Sequence, residues 1–254
     1  MAVAIKSKTP EEIERMRRAG QIVAAALEAM RVQVKPGITT QELDVVAEEL
    51  IRDMGGTPSF KGYRGYPASI CASINEEIVH GIPGPRQLRE GDIISLDVGA
   101  IYEGYQGDAA ITVGAGKISS RAQRLMEATQ AALAAGIAAA RDGSRLGDVS
   151  HAIEVAAQSA GFQVVREYGG HGIGKQMHES PMIPNWGPPD RGFRLKAGMT
   201  LALEPMLVLG NPTTQVRPDG WTVITADKSL SAHFEHTVVI TEDGAEILTK
   251  PSAI

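Results

Sequence analysis

The chain has one cysteine, Cys71, in 254 residues. A lone thiol forms no internal disulfide and builds no cysteine-rich zinc module, and it fits a reducing compartment. There is no excess of basic charge: the net charge of −5 gives no reason to expect nucleic acid or an anionic membrane as a partner. No run approaches 18 apolar residues, which excludes a transmembrane helix. The opening MAVAIKSKTPEEIERMRRAG lacks an apolar core of signal-peptide length before its charges begin, which argues against secretion and for a cytoplasmic protein. Low-complexity tracts and long polar linkers are also missing. So are Gly-x-Ser-x-Gly, a Walker lysine and a Rossmann glycine fingerprint, which disfavours serine-nucleophile and nucleotide-phosphate chemistry.

What remains is an ordinary globular composition, 43% hydrophobic and 22% charged, with enough length for a sizeable core. Thr9-Pro10-Glu11-Glu12 opens a first helix with a cap, a proline in the first turn and a capping-box glutamate. Its apolar period runs from Ile13 to Met30 and is stopped by Lys35-Pro36-Gly37. A second helix is predicted from Thr40 to about Met54, a third from Ser119 to about Asp142 and a fourth from Leu146 to Ala160. Strands are predicted at 68–73, up to about His80, in a hairpin over 93–113, and at 163–167, 199–208, 221–225 and 233–241.

This order repeats: two helices then strands, twice. Gly37 and Gly55 bracket one helix and Gly143 and Gly161 its counterpart. Leu88-Arg-Glu-Gly91-Asp-Ile-Ile-Ser-Leu96-Asp97 lies over Leu195-Lys-Ala-Gly198-Met-Thr-Leu-Ala-Leu203-Glu204, acid upon acid. A pseudo-two-fold fold would bring both strands to one place, with Glu235 expected to answer Asp108 across the axis.

Asp97, Asp108, Glu204 and Glu235 all sit inside apolar, strand-like segments. A single buried acid is ordinarily a structural one, satisfied by arginine or backbone N–H. Four in comparable positions, with no matching set of strand-embedded Lys or Arg, call for a divalent pair. His171 stands in Tyr168-Gly-Gly-His-Gly-Ile-Gly174, read as a glycine-rich turn whose glycines admit a ligand or metal. His80 and His178, taken alone, read as capping or surface histidines, and Pro181 and Pro184 forbid an HExxH helix at His178-Glu179. Four carboxylates and one imidazole suit Mn²⁺, Fe²⁺, Co²⁺ or Zn²⁺. Two such ions can hold a bridging hydroxide and polarise a carbonyl for hydrolysis.

The segments GYRGYPASICASINEEIVHGIP, GDIISLDVG, GYQGDAA, GGHGIGKQMHESPMIPNW, LALEPML and WTVITADKSLSAHFEHTVVIT together resemble type I methionine aminopeptidase, of peptidase family M24, over nearly the whole chain. The resemblance implies an α+β pita-bread fold: one catalytic domain, 1–254, with pseudo-symmetric halves of roughly 9–115 and 116–248 and a curved antiparallel sheet under helices. It implies removal of N-terminal methionine before a small second residue, by a hydroxide activated on two divalent ions. Asp97 would serve one ion, Asp108 and Glu235 both, and His171 and Glu204 the second, with Glu204 also the general base. His178 would contact the scissile amide and His80 line the leaving-peptide side. Tyr63, Tyr66, Cys71, Met177 and Trp221 would hold the methionine side chain.

The chain departs from the family pattern at four positions. Met177 stands where phenylalanine is frequent, Phe60 for cysteine, His233 for glutamine and Ala109 for threonine. The implied partners are N-terminal peptides of newly made proteins, with a transient ribosome contact open, no nucleic acid, no membrane and a monomeric chain. An aminopeptidase P or prolidase is the nearest alternative, and a metal-binding or structural protein without turnover lies further off.

Overall fold

The computed structural model describes residues 6–250. Helix α1 spans Pro10–Gln33. The Thr9 hydroxyl accepts the Glu12 N–H while the Glu12 carboxylate accepts the Thr9 N–H, the expected capping box. Thr39 and Glu42 repeat that arrangement at α2, Thr40–Asp53. Helix α3 covers Ser120–Ala139, capped by Ser119, and α4 covers Leu146–Ser159. Helix α3 ends at Ala139 rather than near Asp142, because the Ser144 hydroxyl takes the Ala139 and Arg141 carbonyls in a turn that closes at Gly143.

A nine-stranded antiparallel sheet is the centre of the fold. Seven of its strands are labelled here: β1 Ile70–Ile74, β2 Ile93–Tyr102, β3 Tyr105–Gly114, β4 Gly169–Gly172, β5 Glu179–Pro184, β6 Thr200–Leu203 and β7 Glu235–Thr241. Thr57–Pro58 begins the order, which continues β2, β3, β7, β6, β4, β5; β1 also pairs with β2, and Gly244–Ile247 with β7. Glu103 and Gly104, both at positive φ, make the two-residue turn between β2 and β3.

Three strand expectations need correction. Gln163–Glu167 shortens to Gln163–Val164. Met199–Val208 is two strands, broken at Glu204-Pro205, since proline has no N–H to give the sheet. His233–Thr241 breaks at Phe234.

Period-2 alternation sends Leu96 and Val98 of β2 to the helix side, where they pack with Ile22, Leu27, Leu43 and Ile51 of α1 and α2. Leu201 and Leu203 of β6, with Val238 and Ile240 of β7, pack against Leu125, Leu133, Val149 and Ile153 of α3 and α4. Each such side chain contributes about 1.5–3 kcal/mol on burial. The intervening Asp97, Asp108, Glu235 and Ala202 are thereby turned to the concave face.

The two halves match bond for bond at their entries to the sheet. Gly37 N–H donates to Leu88 C=O at 2.8 Å, and Gly143 N–H to Leu195 C=O at 2.9 Å. Leu88 N–H donates to Ile38 C=O and Leu195 N–H to Ser144 C=O, both at 2.8 Å. Gly91 and Gly198, at φ 91° and 83°, make the same turn before Asp97 and Glu204.

Candidate metal centre

The concave face encloses a cavity of about 460 Å³, and Asp97, Asp108, His171, Glu204 and Glu235 all line it. His171 Nε2 lies 3.6 Å from Glu204 Oε1 and 4.0 Å from Asp108 Oδ2. Two atoms that each bond one ion at about 2.1 Å can stand no more than about 4.2 Å apart, so His171 can share a cation with either carboxylate. His171 Nδ1–H donates to the Gly172 carbonyl at 2.9 Å, which leaves the Nε2 lone pair free toward the acids.

Buried oxygens of Asp97, Asp108 and Glu235 have no hydrogen-bond partner. Burial pushes Asp97 up to about 7. Burial, reinforced by the neighbouring acids, also holds Asp108, Glu204 and Glu235 well above the usual carboxylate range. Burial lowers His171 to about 4. Four acids that resist ionisation beside a neutral imidazole form a set that divalent cations complete.

The strands explain the placement. Asp97 pairs with Ala110 between β2 and β3, and Ala110 pairs with Glu235 between β3 and β7. One step on, the Thr237 hydroxyl accepts the Asp108 N–H at 3.0 Å and donates to the Asp108 carbonyl at 2.8 Å. With Asp97 laid over Glu204, this register makes Ala110 the counterpart of Glu235, and His233, paired with Met206 as Asp108 is with Gly99, that of Asp108. The expectation that Glu235 answers Asp108 across the axis is therefore corrected.

His171 also departs from expectation: it stands on a strand, β4, not in a turn. A Cβ on Gly170 would run into the Ala202 carbonyl, and one on Gly172 would stand 2.6 Å from the Ser180 carbonyl oxygen. The glycines admit neighbouring strands rather than a ligand.

His178 and His80 both reach the cavity. The His178 ring is 4.3 Å from that of His171, and its Nδ1 lies 2.9 Å from the Tyr63 hydroxyl. With that hydroxyl donating, the ring proton sits on Nε2. Lys8, with its side chain 5% exposed, pairs with Glu179 at 2.8 Å and ties the start of the chain to the loop carrying His178. His80, at φ 61°, has its ring 6.5 Å from Trp221 and 6.1 Å from Tyr168. Burial lowers His80 to about 4 and also lowers His178, the latter helped by Arg64.

Phe60, Tyr66 and Cys71 form an apolar wall, and register sets Cys71 opposite Asp97. The Tyr66 hydroxyl donates to the Ile70 and Gly81 carbonyls, bracing that wall. Tyr63 and Trp221 line the cavity as expected. Met177 does not: it is 2% exposed and packs behind the wall, in space that Gly99 leaves beside Phe60. Sequence reasoning missed Asn185, which donates to the Glu204 carbonyl at 3.0 Å and carries no local signal. It also set His233 aside as a mere departure, although its position two residues before Glu235 was a signal.

A curved antiparallel half-barrel flanked by four helices, holding carboxylates and an imidazole on its concave side, defines the pita-bread class of metal-dependent enzyme. The model of metallopeptidase family M24 matches residues 14–242. The chain belongs to that family. It is 51% identical over 243 residues to methionine aminopeptidase 1 of Bacillus subtilis, covering 96% of this chain and 98% of that protein. The crystal structure of methionine aminopeptidase from Thermotoga maritima superposes with a TM-score of 0.96 at 48% identity, covering 97% of this chain and all of that one. Prolidase from Pyrococcus furiosus gives 0.77 at 25% identity, with 97% of this chain and 66% of that one covered.

Proposed function

We propose that the chain removes the N-terminal methionine from newly made proteins and peptides, preferring a small second residue. Two divalent ions, of Co, Mn, Fe or Zn, would be held by Asp97, Asp108, His171, Glu204 and Glu235. The observation that carries this reading is a buried, unpaired donor set opening on an apolar cavity, in a chain about half identical to methionine aminopeptidases. An aminopeptidase P or prolidase reading is disfavoured by the gap between 51% and 25% identity.

When bound, the ions would acidify an attacking water and polarise the scissile carbonyl. Asp97 would hold one ion, Asp108 and Glu235 both, and His171 and Glu204 the other. Glu204 takes the proton from the attacking water at its carboxylate. His178, its ring set by Tyr63, donates from Nε2 to the scissile amide as charge develops on its oxygen. His80 lines the side from which the shortened peptide leaves. Phe60, Tyr66 and Cys71 receive the unbranched thioether, and Tyr63 and Trp221 close the rim.

The site is built from one catalytic unit, 1–254, since both halves supply donors. Among the described residues no helix is long and apolar enough to cross a membrane. The same reading makes the chain a cytoplasmic monomer acting on newly made proteins, with a transient ribosome contact open. The deciding assay re-supplies metal-stripped protein with each divalent ion over a peptide panel. Met-Ala-Ser peptides are expected to lose methionine, with Met-Leu and Met-Lys peptides spared. Equal cleavage of X-Pro peptides would move the assignment to prolidase.

A further inference from the structure

His171 is the imidazole counted among the donors, yet the structure presents a second. His233 ends the strand Ser231–His233 and is paired with Met206. Its backbone is fixed further by Thr112, whose hydroxyl accepts the His233 N–H at 2.9 Å and donates to the His233 carbonyl at 2.8 Å. The residue is 1% exposed, and its Nε2 is buried without a hydrogen-bond partner. That nitrogen lies 3.7 Å from Glu204 Oε2 and 3.8 Å from Glu235 Oε2. Both distances are too long for hydrogen bonds, and both fall within the span of about 4.2 Å open to two donors of one ion.

Glu204 therefore stands between two imidazoles, Oε1 toward His171 and Oε2 toward His233. The donors fall into two groups, Asp108–His171–Glu235 and Glu204–His233–Glu235, each with its ligand atoms within 4.8 Å of one another. Only Glu235 belongs to both. This is a different partition from one in which a single imidazole serves the pair.

We propose that His233 is a sixth protein ligand of the metal pair, giving the ion beside Glu204 and Glu235 an imidazole of its own; this rests on the two-ion reading above. Imidazole suits Fe²⁺, Co²⁺ and Zn²⁺, whereas an oxygen-only set suits Mn²⁺ and Mg²⁺. The side chain at position 233 then helps select the metal. A glutamine there offers an amide oxygen and tilts the choice toward the harder ions.

The test uses the full metal-stripped chain and its His233→Gln and His233→Asn variants, titrated calorimetrically with Co²⁺ and with Mn²⁺. Proton NMR of the Co²⁺-loaded, ¹⁵N-histidine-labelled proteins runs alongside, and circular dichroism checks folding. The expected result is two contact-shifted imidazole N–H signals in the wild type and one in each variant. One Co²⁺ step is expected to weaken at least about tenfold, with Mn²⁺ affected less. A single shifted imidazole in the wild type, or unchanged Co²⁺ affinities in folded variants, overturns the assignment and leaves the metallopeptidase reading standing. Should both variants unfold, the wild-type signal count decides alone. No Co²⁺ uptake by the wild type would remove the two-ion reading and this inference together.

Discussion

From Thr9 to Ala115 the chain builds two capped helices and a hairpin; from Gly116 to Leu248 it builds two helices and an antiparallel strand pair again, with matching bonds at Gly37 and Gly143 and at Leu88 and Leu195. On the concave face the halves part company. The first supplies Asp97, Asp108, the imidazole of His80 and the apolar wall of Phe60, Tyr66 and Cys71. The second supplies Glu204, Glu235 and the imidazoles His171, His178 and His233. At the axis the difference is sharpest: Ala110 faces Glu235, and Asp108, held by Thr237, answers His233, held by Thr112 in the same way. The scaffold keeps its symmetry where it packs on helices and loses it where chemistry is done. A repeat can thus locate a site while leaving the side-chain types of its ligands free to differ between the halves.

The strongest way to break this contrast is Glu235→Ala, which makes the axis pair two alanines. It removes a carboxylate assigned to both ions, so metal-dependent kcat/KM is expected to fall about 10³-fold or more, at several kcal/mol. Metal content should drop while circular dichroism stays native, because Glu235 Oε1 supports no hydrogen bond. A variant with full metal and full activity would end the assignment.

Next comes His178→Ala, which removes a group with no ligand role. Both ions are expected to remain bound, with kcat/KM lowered by about 10²–10³-fold, or 2.7–4 kcal/mol. Wild-type turnover would exclude the role.

The third contrast is between loaded and stripped protein. A carboxyl raised on folding stabilises below its unfolded pKa, and that stabilisation is lost as pH climbs through the folded value. Asp97, raised to about 7, loses its share as pH climbs from its unfolded value to about 7, and Asp108, Glu204 and Glu235, held well above the usual carboxylate range, add to that loss. His80, His171 and His233, lowered to about 4, 4 and 3, add no slope above pH of about 6.5, where they are neutral folded or unfolded. Calorimetry of the stripped protein should show Tm falling between about pH 6.5 and 8.5. Ions at about 100 times Kd restore about 2.7 kcal/mol, and a flat stripped profile would contradict the acidic cradle.

The smallest effect tests the frame alone. Thr237→Val leaves the Asp108 N–H and carbonyl without their side-chain partner, at a cost of about 1–3 kcal/mol in unfolding free energy. Denaturant melts measure it directly.

What was legible in the sequence is what is local. Capping boxes, the hairpin turn and the acid-bearing strands are written in neighbouring residues, and so was the alignment of Asp97 on Glu204. The strand under His171 was not, because glycine is a poor strand former and those glycines answer to Ala202 and Ser180 carbonyls that only the tertiary fold brings near. Likewise Met177 is expected in the pocket from the family position it occupies, whereas the gap at Gly99 draws it behind the wall.

The Lys8–Glu179 pair carries a practical lesson for handling the protein. Lys8, just ahead of α1, is a guy-rope on the segment that presents His178. Fusions or cuts placed close to Lys8 would slacken that segment and register as lost turnover in a protein that still melts normally. Affinity handles therefore need a spacer upstream of Ser7, and any activity comparison between differently tagged preparations needs matched N-termini.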